Sequence, residues 1–214
     1  SFITCKRYFT DVFRSALKAV GITGADFVSS SLAEAMYLLD AETRDRIAIL
    51  LDVGHISSTL SLIQGDGILY QSSFGYGGGY VTALLSRNLG VDFDLAEMLK
   101  RKVNLSRVYK DGNSDLITVG GGEYFNAETV RESIKISLDD LCEHVADSAD
   151  NSGYVIPEYV PLTLTGGGIT YIRGSKEFLS VRLGCAVETV APKIPVSDKP
   201  EDSSLYSLLD ITLG

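Results

Sequence analysis

Residues 47–54 have the sequence IAILLDVG, a short apolar run that ends in a glycine-bearing turn. The same arrangement returns at residues 160–168, VPLTLTGGG. A continuous apolar run of this length indicates a buried strand, and the glycines indicate that backbone comes close to another group where each strand ends. Hydroxyl groups after the first strand can donate to phosphate oxygens, and bare glycine backbone after the second lets a ring or sugar lie against it. Two such turns in this order predict a nucleotide cleft.

The composition limits the class of protein. A chain of 214 residues makes one large domain or two small ones. Its net charge of -9 and pI of about 4.7 argue against a nucleic-acid surface. No apolar run approaches the roughly 20 residues that span a bilayer, and the N-terminus lacks the basic-then-apolar order of a signal peptide. We expect a cytoplasmic protein, and the absence of an initiator methionine predicts that the chain begins inside a longer protein or follows a removed tag.

The thiol and imidazole side chains are too dispersed for a disulfide framework, a zinc site or a histidine-dependent catalytic constellation. They are Cys5, Cys142, Cys185, His55 and His144. We therefore expect reduced thiols in a reducing compartment.

Apolar periodicity predicts strands that alternate with helices. Strands are expected at 47–53, 58–63, 67–74, 162–165 and 186–190, and helices at 9–20, 31–39, 80–89, 94–103, 126–149, 175–183 and 203–211. A tight-turn signal at 64–67 predicts that the first three strands form an antiparallel meander. Ser31 with Glu34 fits a capping box. The order predicts an α/β fold with helices on both faces of the sheet, a loop with one short strand at 104–124, and a linker at 192–202.

Five sequence blocks in this order resemble the second half of the FtsA-type bacterial cell-division proteins, members of the actin-like ATPases. LAEA resembles the family's crossing helix LASAEA, DVGHISST its phosphate loop DIGGGTTD, and GGGYVT its turn GGDHIT. AEMLK resembles the helix AExLK, and SGY, LTGGG and RG resemble the series SGY, LTGGG and LPGL. These blocks lie at 32–35, 52–59, 77–82, 96–100, and 152–154 with 164–168 and 173–174.

The resemblance implies an actin-like (ribonuclease H-like) domain in which parallel strands extend the meander. It further implies three parts. Residues 1–45 would be the end of the first actin-like half with the crossing helix. Residues 46–92 and 152–214 would form the second subdomain, and residues 93–151 an inserted smaller subdomain.

The resemblance also implies a site for ATP with magnesium. Asp52 would help to hold the metal, and Glu97 and Lys100 would contact the ribose. The implied nucleotide-binding residues are Asp52, Gly54, Ser57, Ser58, Gly77, Gly78, Glu97, Lys100, Gly166, Gly167 and Gly168.

The chain departs from the family pattern in two ways. His55 and Ile56 stand where the family has glycines, and Ile56 is expected to obstruct the phosphate turn or to change its shape. Residues 1–46 contain no counterpart of the Asp-x-Gly phosphate loop that belongs to the first half of the fold. The resemblance therefore implies a cleft with one wall missing, weak or absent ATP binding, and no catalysis by this chain alone.

The resemblance implies partners as well: the tail of the tubulin-like division protein, further copies in filaments or dimers, and the inner face of the cell membrane through segments beyond Gly214. The predicted long helix carries Arg131 and Lys135 at i,i+4, away from its apolar stripe. Two cations one turn apart suit an acidic peptide, and pairing with neighbouring acids is the alternative.

The leading hypothesis is a fragment of an FtsA-type protein, a nucleotide-gated scaffold for assembly or membrane tethering. Alternatives are a chaperone-like or pilus-assembly ATPase of the same superfamily, or a degenerate interaction module that no longer binds nucleotide. An intact phosphate loop upstream of Ser1 would favour an ATPase.

Overall fold

Seven strands and eight α-helices make up the part of the chain that the structure describes. The computed structural model describes residues 4–107, 115–119, 122, 124–195 and 197–213. The strands are β1 (Ala48–Val53), β2 (Ser58–Gln64), β3 (Gly67–Phe74), β4 (Leu116–Thr118), β5 (Tyr124–Asn126), β6 (Leu162–Thr165) and β7 (Val187–Thr189). β4 and β5 form a separate antiparallel hairpin, and the other five form one sheet.

The five-stranded sheet has the order β3-β2-β1-β6-β7. β1, β2 and β3 pair antiparallel, which confirms the predicted meander, and β6 and β7 extend it by parallel pairing. In the parallel register Asp52 lies opposite Thr165. The two glycine turns singled out in the sequence therefore begin side by side, at one edge of the sheet.

Seven of the eight described helices match the predicted ones, with boundaries that differ by at most two residues. The eight are α1 (Arg7–Ala19), α2 (Ser30–Leu38), the short α3 (Ala41–Arg44), which was not predicted, α4 (Gly78–Leu89), α5 (Phe93–Lys102), α6 (Ala127–Asp150), α7 (Ser175–Leu183) and α8 (Ser203–Leu213). The predicted linker before α8 contains a 3₁₀ turn, Pro200–Asp202. No helix in the described part of the chain combines the length and the apolar character needed to cross a membrane.

Helices cover both faces of the sheet, as predicted, and the side chains of β1 alternate between these two faces. Ile49, Leu51 and Val53 belong to the main core, where α4 to α7 cover one face. Ala48 and Leu50 belong to a smaller core under α2 on the opposite face. Both sets are nearly inaccessible to solvent because successive side chains of a strand point to opposite faces.

The predicted capping box at the start of α2 is wrong. Ser29, not Ser31, is the N-cap, and its hydroxyl accepts a hydrogen bond from the Leu32 amide. Glu34 does not return to the helix start, since its side chain is buried and accepts a hydrogen bond from Ser204. The predicted box began two residues after the true N-cap, and the residue three positions after Ser29 is Leu32, which cannot complete a capping box.

Residues 93–151 contribute to the same core as the sheet. Ala96 and Leu99 of α5 and Val130, Ile134 and Leu138 of α6 are buried in one cluster with β1 and β2. The division into subdomains stays a prediction.

The loop expected at 104–124 contains the predicted short strand, β4. It pairs with a second strand, β5, which begins at the end of this segment. Residues 108–114, Gly120 and Gly121 lie outside the described residues.

α1 is amphipathic, and none of its residues is buried against the described part of the chain. Its apolar positions include Phe9 and Phe13, whose rings pack on each other at 4.6 Å and which are each about half exposed. Helices of this kind are normally stabilised by packing of the apolar face.

Candidate functional site

The turn between β1 and β2 forms the first wall of the candidate site. The Gly54 amide donates to the Ser57 carbonyl at 3.0 Å and closes the turn. Ile56 is 80% exposed at its tip, and among the described residues only glycines have a positive φ. Ile56 therefore does not obstruct the turn, because its side chain points away from it.

Three glycine-rich segments meet at this turn through their backbones. The Gly78 amide donates to the Gly54 carbonyl at 2.9 Å, Gly79 to His55 at 2.7 Å, and Gly168 to Val53 at 2.7 Å. A Cβ on Gly78 would lie 2.2 Å from the Gly168 oxygen. The glycines thus allow β1, the start of α4 and the turn after β6 to approach one another, and these three amides are already used inside the protein.

The neighbouring glycines Gly77, Gly166 and Gly167 face protein atoms too. A Cβ on Gly77 would lie 2.6 Å from the Gly54 oxygen, and one on Gly166 would lie 2.3 Å from Asp52 Oδ1. Gly167 faces Glu201, whose Cβ would lie 2.6 Å from a Cβ on that glycine. The 3₁₀ turn before α8 therefore covers part of the second glycine turn, which the sequence did not indicate.

The two serines of the first turn differ in what their hydroxyl groups can do. Ser58 is buried, and its hydroxyl donates to the Tyr76 carbonyl at 2.5 Å. This bond holds the segment before α4 against β2 and leaves the hydroxyl unavailable to a ligand. Ser57 is exposed, and in the described part of the chain its hydroxyl makes no hydrogen bond. Of the two, Ser57 is the one that can contact a phosphate group.

Asp52 and Glu34 form a pair of acidic side chains beneath the turn. Burial raises the pKa of Asp52. Among the described residues, no hydrogen bond reaches its carboxylate. Burial and the nearby Asp52 raise the pKa of Glu34 to about 7, although the hydrogen bond from Ser204 opposes them. Sequence analysis assigned Glu34 to a capping box and missed its contact with Ser204, because this contact joins α2 to α8 across most of the chain.

Replacing Glu34 with glutamine is expected to stabilise the protein at pH 8. The folded state keeps a proton on Glu34 up to about pH 7, whereas the unfolded chain releases it near 4.5. Stability is therefore lost as pH rises from about 4.5 to 7, and Glu34→Gln removes that loss. We expect a gain of about 2–3 kcal/mol in the free energy of unfolding at pH 8 and little gain at pH 4. Urea titrations monitored by circular dichroism measure it.

Glu42→Gln is the matched control, since Glu42 is exposed in the neighbouring α3. It should change the free energy of unfolding by less than about 0.5 kcal/mol at either pH. An equal gain for Glu34→Gln at pH 4 and pH 8 would show that titration of Glu34 is not its origin.

Glu97 and Lys100, the residues that the resemblance assigned to ribose, form a network inside the protein. Lys100 is 1% exposed, and its ammonium group donates to the Gly78 carbonyl at 2.8 Å and to the Thr82 hydroxyl at 2.6 Å. It also pairs with Glu97 at 2.7 Å. The Tyr171 hydroxyl donates to Glu97 at 2.9 Å. The network fixes α5 to the start of α4 and to the segment after the second glycine turn.

The pKa values of this pair follow from burial and from its hydrogen bonds. Burial raises the pKa of Glu97, but the hydrogen bonds from Lys100 and Thr82 and the Lys100 charge outweigh burial and lower it. Burial lowers the pKa of Lys100, and the bond to Glu97 opposes that change. The pair is therefore an internal ion pair with no free donor directed at a ligand.

The basic pair on α6 is not the free, exposed surface that the sequence suggested. Arg131 contacts both Glu128 and Glu132, and its side chain is 14% exposed. Lys135 pairs with Glu132 at 3.2 Å and is 24% exposed. Both cations face acids one turn away on the same helix, which is the alternative that sequence analysis left open.

The sequence profile of a known family fits the chain across this site. The profile described as "Type IV pilus assembly protein PilM" matches residues 15–203. The chain belongs to this PilM family. Among characterised relatives, this PilM-family chain is 21% identical over 188 residues to cell division protein FtsA of Neisseria meningitidis serogroup B, a match that covers 84% of the chain and 45% of FtsA. The chain thus spans about half the length of the curated relative it matches.

Solved structures place the PilM-family chain in the actin-like ATPase fold. A PilM–PilN type IV pilus biogenesis complex matches with a TM-score of 0.71 at 22% identity, over 96% of this chain and 58% of the other. MreB5 of Spiroplasma citri bound to ADP matches with a TM-score of 0.74 at 14% identity, over 98% and 67%. These matches confirm the predicted actin-like fold and the resemblance to FtsA-type domains.

The residues of the site fit a magnesium nucleotide in part. Asp52 offers a carboxylate without a hydrogen bond in the described structure, and Ser57 offers an exposed hydroxyl in the turn that follows β1. Magnesium commonly takes one or two carboxylates together with phosphate oxygens. Within the described residues, no three acidic, histidine or cysteine side chains converge into a metal site. The amides of Gly78, Gly79 and Gly168 and the Glu97–Lys100 pair are engaged internally, so the chain presents a partial set of donors.

Proposed function

We propose that this chain is the second half of an actin-like scaffold protein for type IV pilus assembly, in which bound nucleotide controls assembly with partners. The family match carries the proposal, and the meeting of three backbone segments beside Asp52 and Ser57 supports a nucleotide-responsive site there. In this proposal Asp52 helps to hold a magnesium ion that is bound to the nucleotide phosphates, and Ser57 contacts a phosphate oxygen. The floor of the proposed nucleotide site is formed by the backbone of Gly54, Gly77, Gly166 and Gly167.

We further propose the arrangement of the parts. Residues 1–45 would complete the first half of the actin-like fold, and the unburied apolar face of α1 supports this. Residues 46–92 with 152–214 would form the second subdomain, and residues 93–151 its insertion. The whole protein would act at the cytoplasmic face of the membrane, attached through segments outside this chain, and would associate with further copies of itself.

An FtsA-type role in cell division is the second candidate, because a curated FtsA is also similar to this chain. The two candidates differ in their partner: a PilN-type protein for pilus assembly and a tubulin-like division protein for cell division. Size-exclusion chromatography of the chain mixed with each purified partner tests both. Co-elution with the PilN-type protein alone supports the first proposal, and co-elution with the tubulin-like protein alone supports the second.

The chain by itself is expected to bind MgATP with a Kd of roughly 200 µM or weaker, equivalent to about -5 kcal/mol. The physical reason is that three backbone amides and the Glu97–Lys100 pair are already bonded within the protein. Isothermal titration calorimetry measures the affinity directly. Asp52→Asn should weaken whatever magnesium-dependent binding is detected, whereas Asp66→Asn, in the exposed turn between β2 and β3, should not. Low-micromolar, magnesium-dependent binding by the unmodified chain would contradict the expectation.

A further inference from the structure

A cavity of about 430 Å³ lies away from the candidate nucleotide site, between α6, residues 156–160 and the end of α7. Its inner wall includes Ile49 and Leu162, which pair with each other near the starts of β1 and β6. The glycine turns follow the opposite ends of these strands. The cavity is therefore separate from the site of the proposed function, and nothing in that function uses it.

The interior of the cavity is apolar and well defined. Cys142 and Val145 of α6 and Val160 and Leu162 line it and are each less than 10% exposed. Burial raises the pKa of the Cys142 thiol to about 12, so the thiol is a neutral part of this wall. Pockets of about 300–1,000 Å³ with apolar walls bind small molecules or anchoring side chains.

The rim of the cavity is acidic. Glu143, Asp150 and Glu158 are exposed, and Asp139 is paired with Arg182, whose Nε lies 2.5 Å from Asp139 Oδ1. The lining thus contains four carboxylates and one guanidinium group, and Arg182 is already paired with Asp139. A ligand that enters here meets apolar walls and three carboxylates without an ion pair in the described structure.

Apolar surface continues beyond the mouth. Val155 is 88% exposed and Tyr159 is 71% exposed, and each adjoins a lining residue in the chain. This continuation suits an extended segment better than a small molecule, because a segment can cover the cavity and the apolar surface at once. The net charge of -9 opposes a second copy of the same chain and favours a cationic partner.

We propose that this cavity is a docking site for a peptide segment of a partner protein, with one or two large apolar anchor residues between lysines or arginines. The anchor occupies the space between Cys142, Val145 and Leu162. The cationic neighbours lie over Glu143, Asp150 and Glu158. The site is formed entirely by the second half of the fold and does not require nucleotide.

The test uses three ten-residue synthetic peptides and the 214-residue chain labelled with ¹⁵N for NMR. One peptide has a central Leu-Phe pair between lysines, one has the same pair between glutamates, and one has Gly-Ser between lysines. We expect saturable shifts of cavity amides with the first peptide, at a Kd of about 10–500 µM, and at least tenfold weaker binding of the other two. Absence of saturable shifts up to about 1 mM, or equal binding of the glutamate peptide, overturns the proposal.

Two variants at the cavity and one control variant locate the binding. Glu143→Lys with Glu158→Lys should weaken the lysine peptide about tenfold, whereas Asp147→Lys with Glu188→Lys, the same charge change at exposed residues outside the cavity lining, should weaken it less than threefold. Ala146→Trp, which adds a ring at the exposed edge of the lining, should abolish binding with an unchanged melting temperature. Equal loss in both charge variants overturns the placement. A dilution-dependent change of the same amides without peptide assigns the cavity to a second copy instead.

Discussion

Replacing Lys100 with methionine is expected to lower the free energy of unfolding by about 3 kcal/mol. The side chain is fully buried, and its ammonium group joins Gly78, Thr82 and Glu97 from two helices. Methionine keeps most of the volume, but it leaves the Gly78 carbonyl without the ammonium donor and leaves Glu97 with only the more exposed Arg101 as its cation. Glu97 is 24% exposed, so water compensates in part, and we expect a value at the lower end of the range for a broken buried pair. Urea unfolding at neutral pH measures it.

Arg101→Met is the matched control on the same helix. Arg101 also contacts Glu97, at 3.0 Å, and lies over the Tyr171 ring, but its side chain is 55% exposed. Its loss should therefore cost about 1 kcal/mol or less. The double variant Lys100→Met with Glu97→Gln should lose less than the sum of the two single variants, because the carboxylate that has lost its buried cation is gone. Equal losses of unfolding free energy in Lys100→Met and Arg101→Met would show that the buried network does not stabilise the contact between α5 and the start of α4.

The network around Lys100 also shows which contacts could not be predicted from the sequence. The strands were predictable because β1 lies in a largely apolar run and β6 alternates leucine with the β-branched threonine. The turns were predictable because glycines follow both strands. Lys100 has the same spacing from Glu97 as an exposed ion pair on a helix surface. Its burial depends on α4, which reaches it from 22 residues away in sequence through the Gly78 carbonyl. A local pattern contains no information about such a partner.

Long-range contacts explain the other differences as well. Glu34 resembled a capping residue in sequence, but Ser204, 170 residues later, is its partner. Glu201 reaches the second glycine turn from a segment that the sequence described as a linker. By contrast, the acids that neutralise Arg131 and Lys135 lie three residues before each of them. That pairing was available from the sequence, because i,i+3 pairs on a helix are neighbours.

Replacing Gly78 or Gly168 with alanine is expected to lower the free energy of unfolding by about 2–3 kcal/mol or more. A Cβ on Gly78 would lie 2.2 Å from the Gly168 oxygen, and one on Gly168 would lie 2.4 Å from the Gly54 oxygen. Both contacts are with backbone, which cannot rotate away as a side chain can. At Gly78 the loss must exceed the gain in helix propensity of about 1 kcal/mol that alanine brings. Thermal and urea unfolding of the single variants measure the losses.

Gly75→Ala is the matched control, three residues before Gly78 in the same segment. A Cβ there meets nothing within 4 Å, and its backbone is not left-handed. This variant should be neutral or should gain up to about 1 kcal/mol through the unfolded chain. A Gly78→Ala variant as stable as Gly75→Ala would mean that the turns can separate without cost. The glycines would then serve the approach of a ligand and not the approach of one backbone to another.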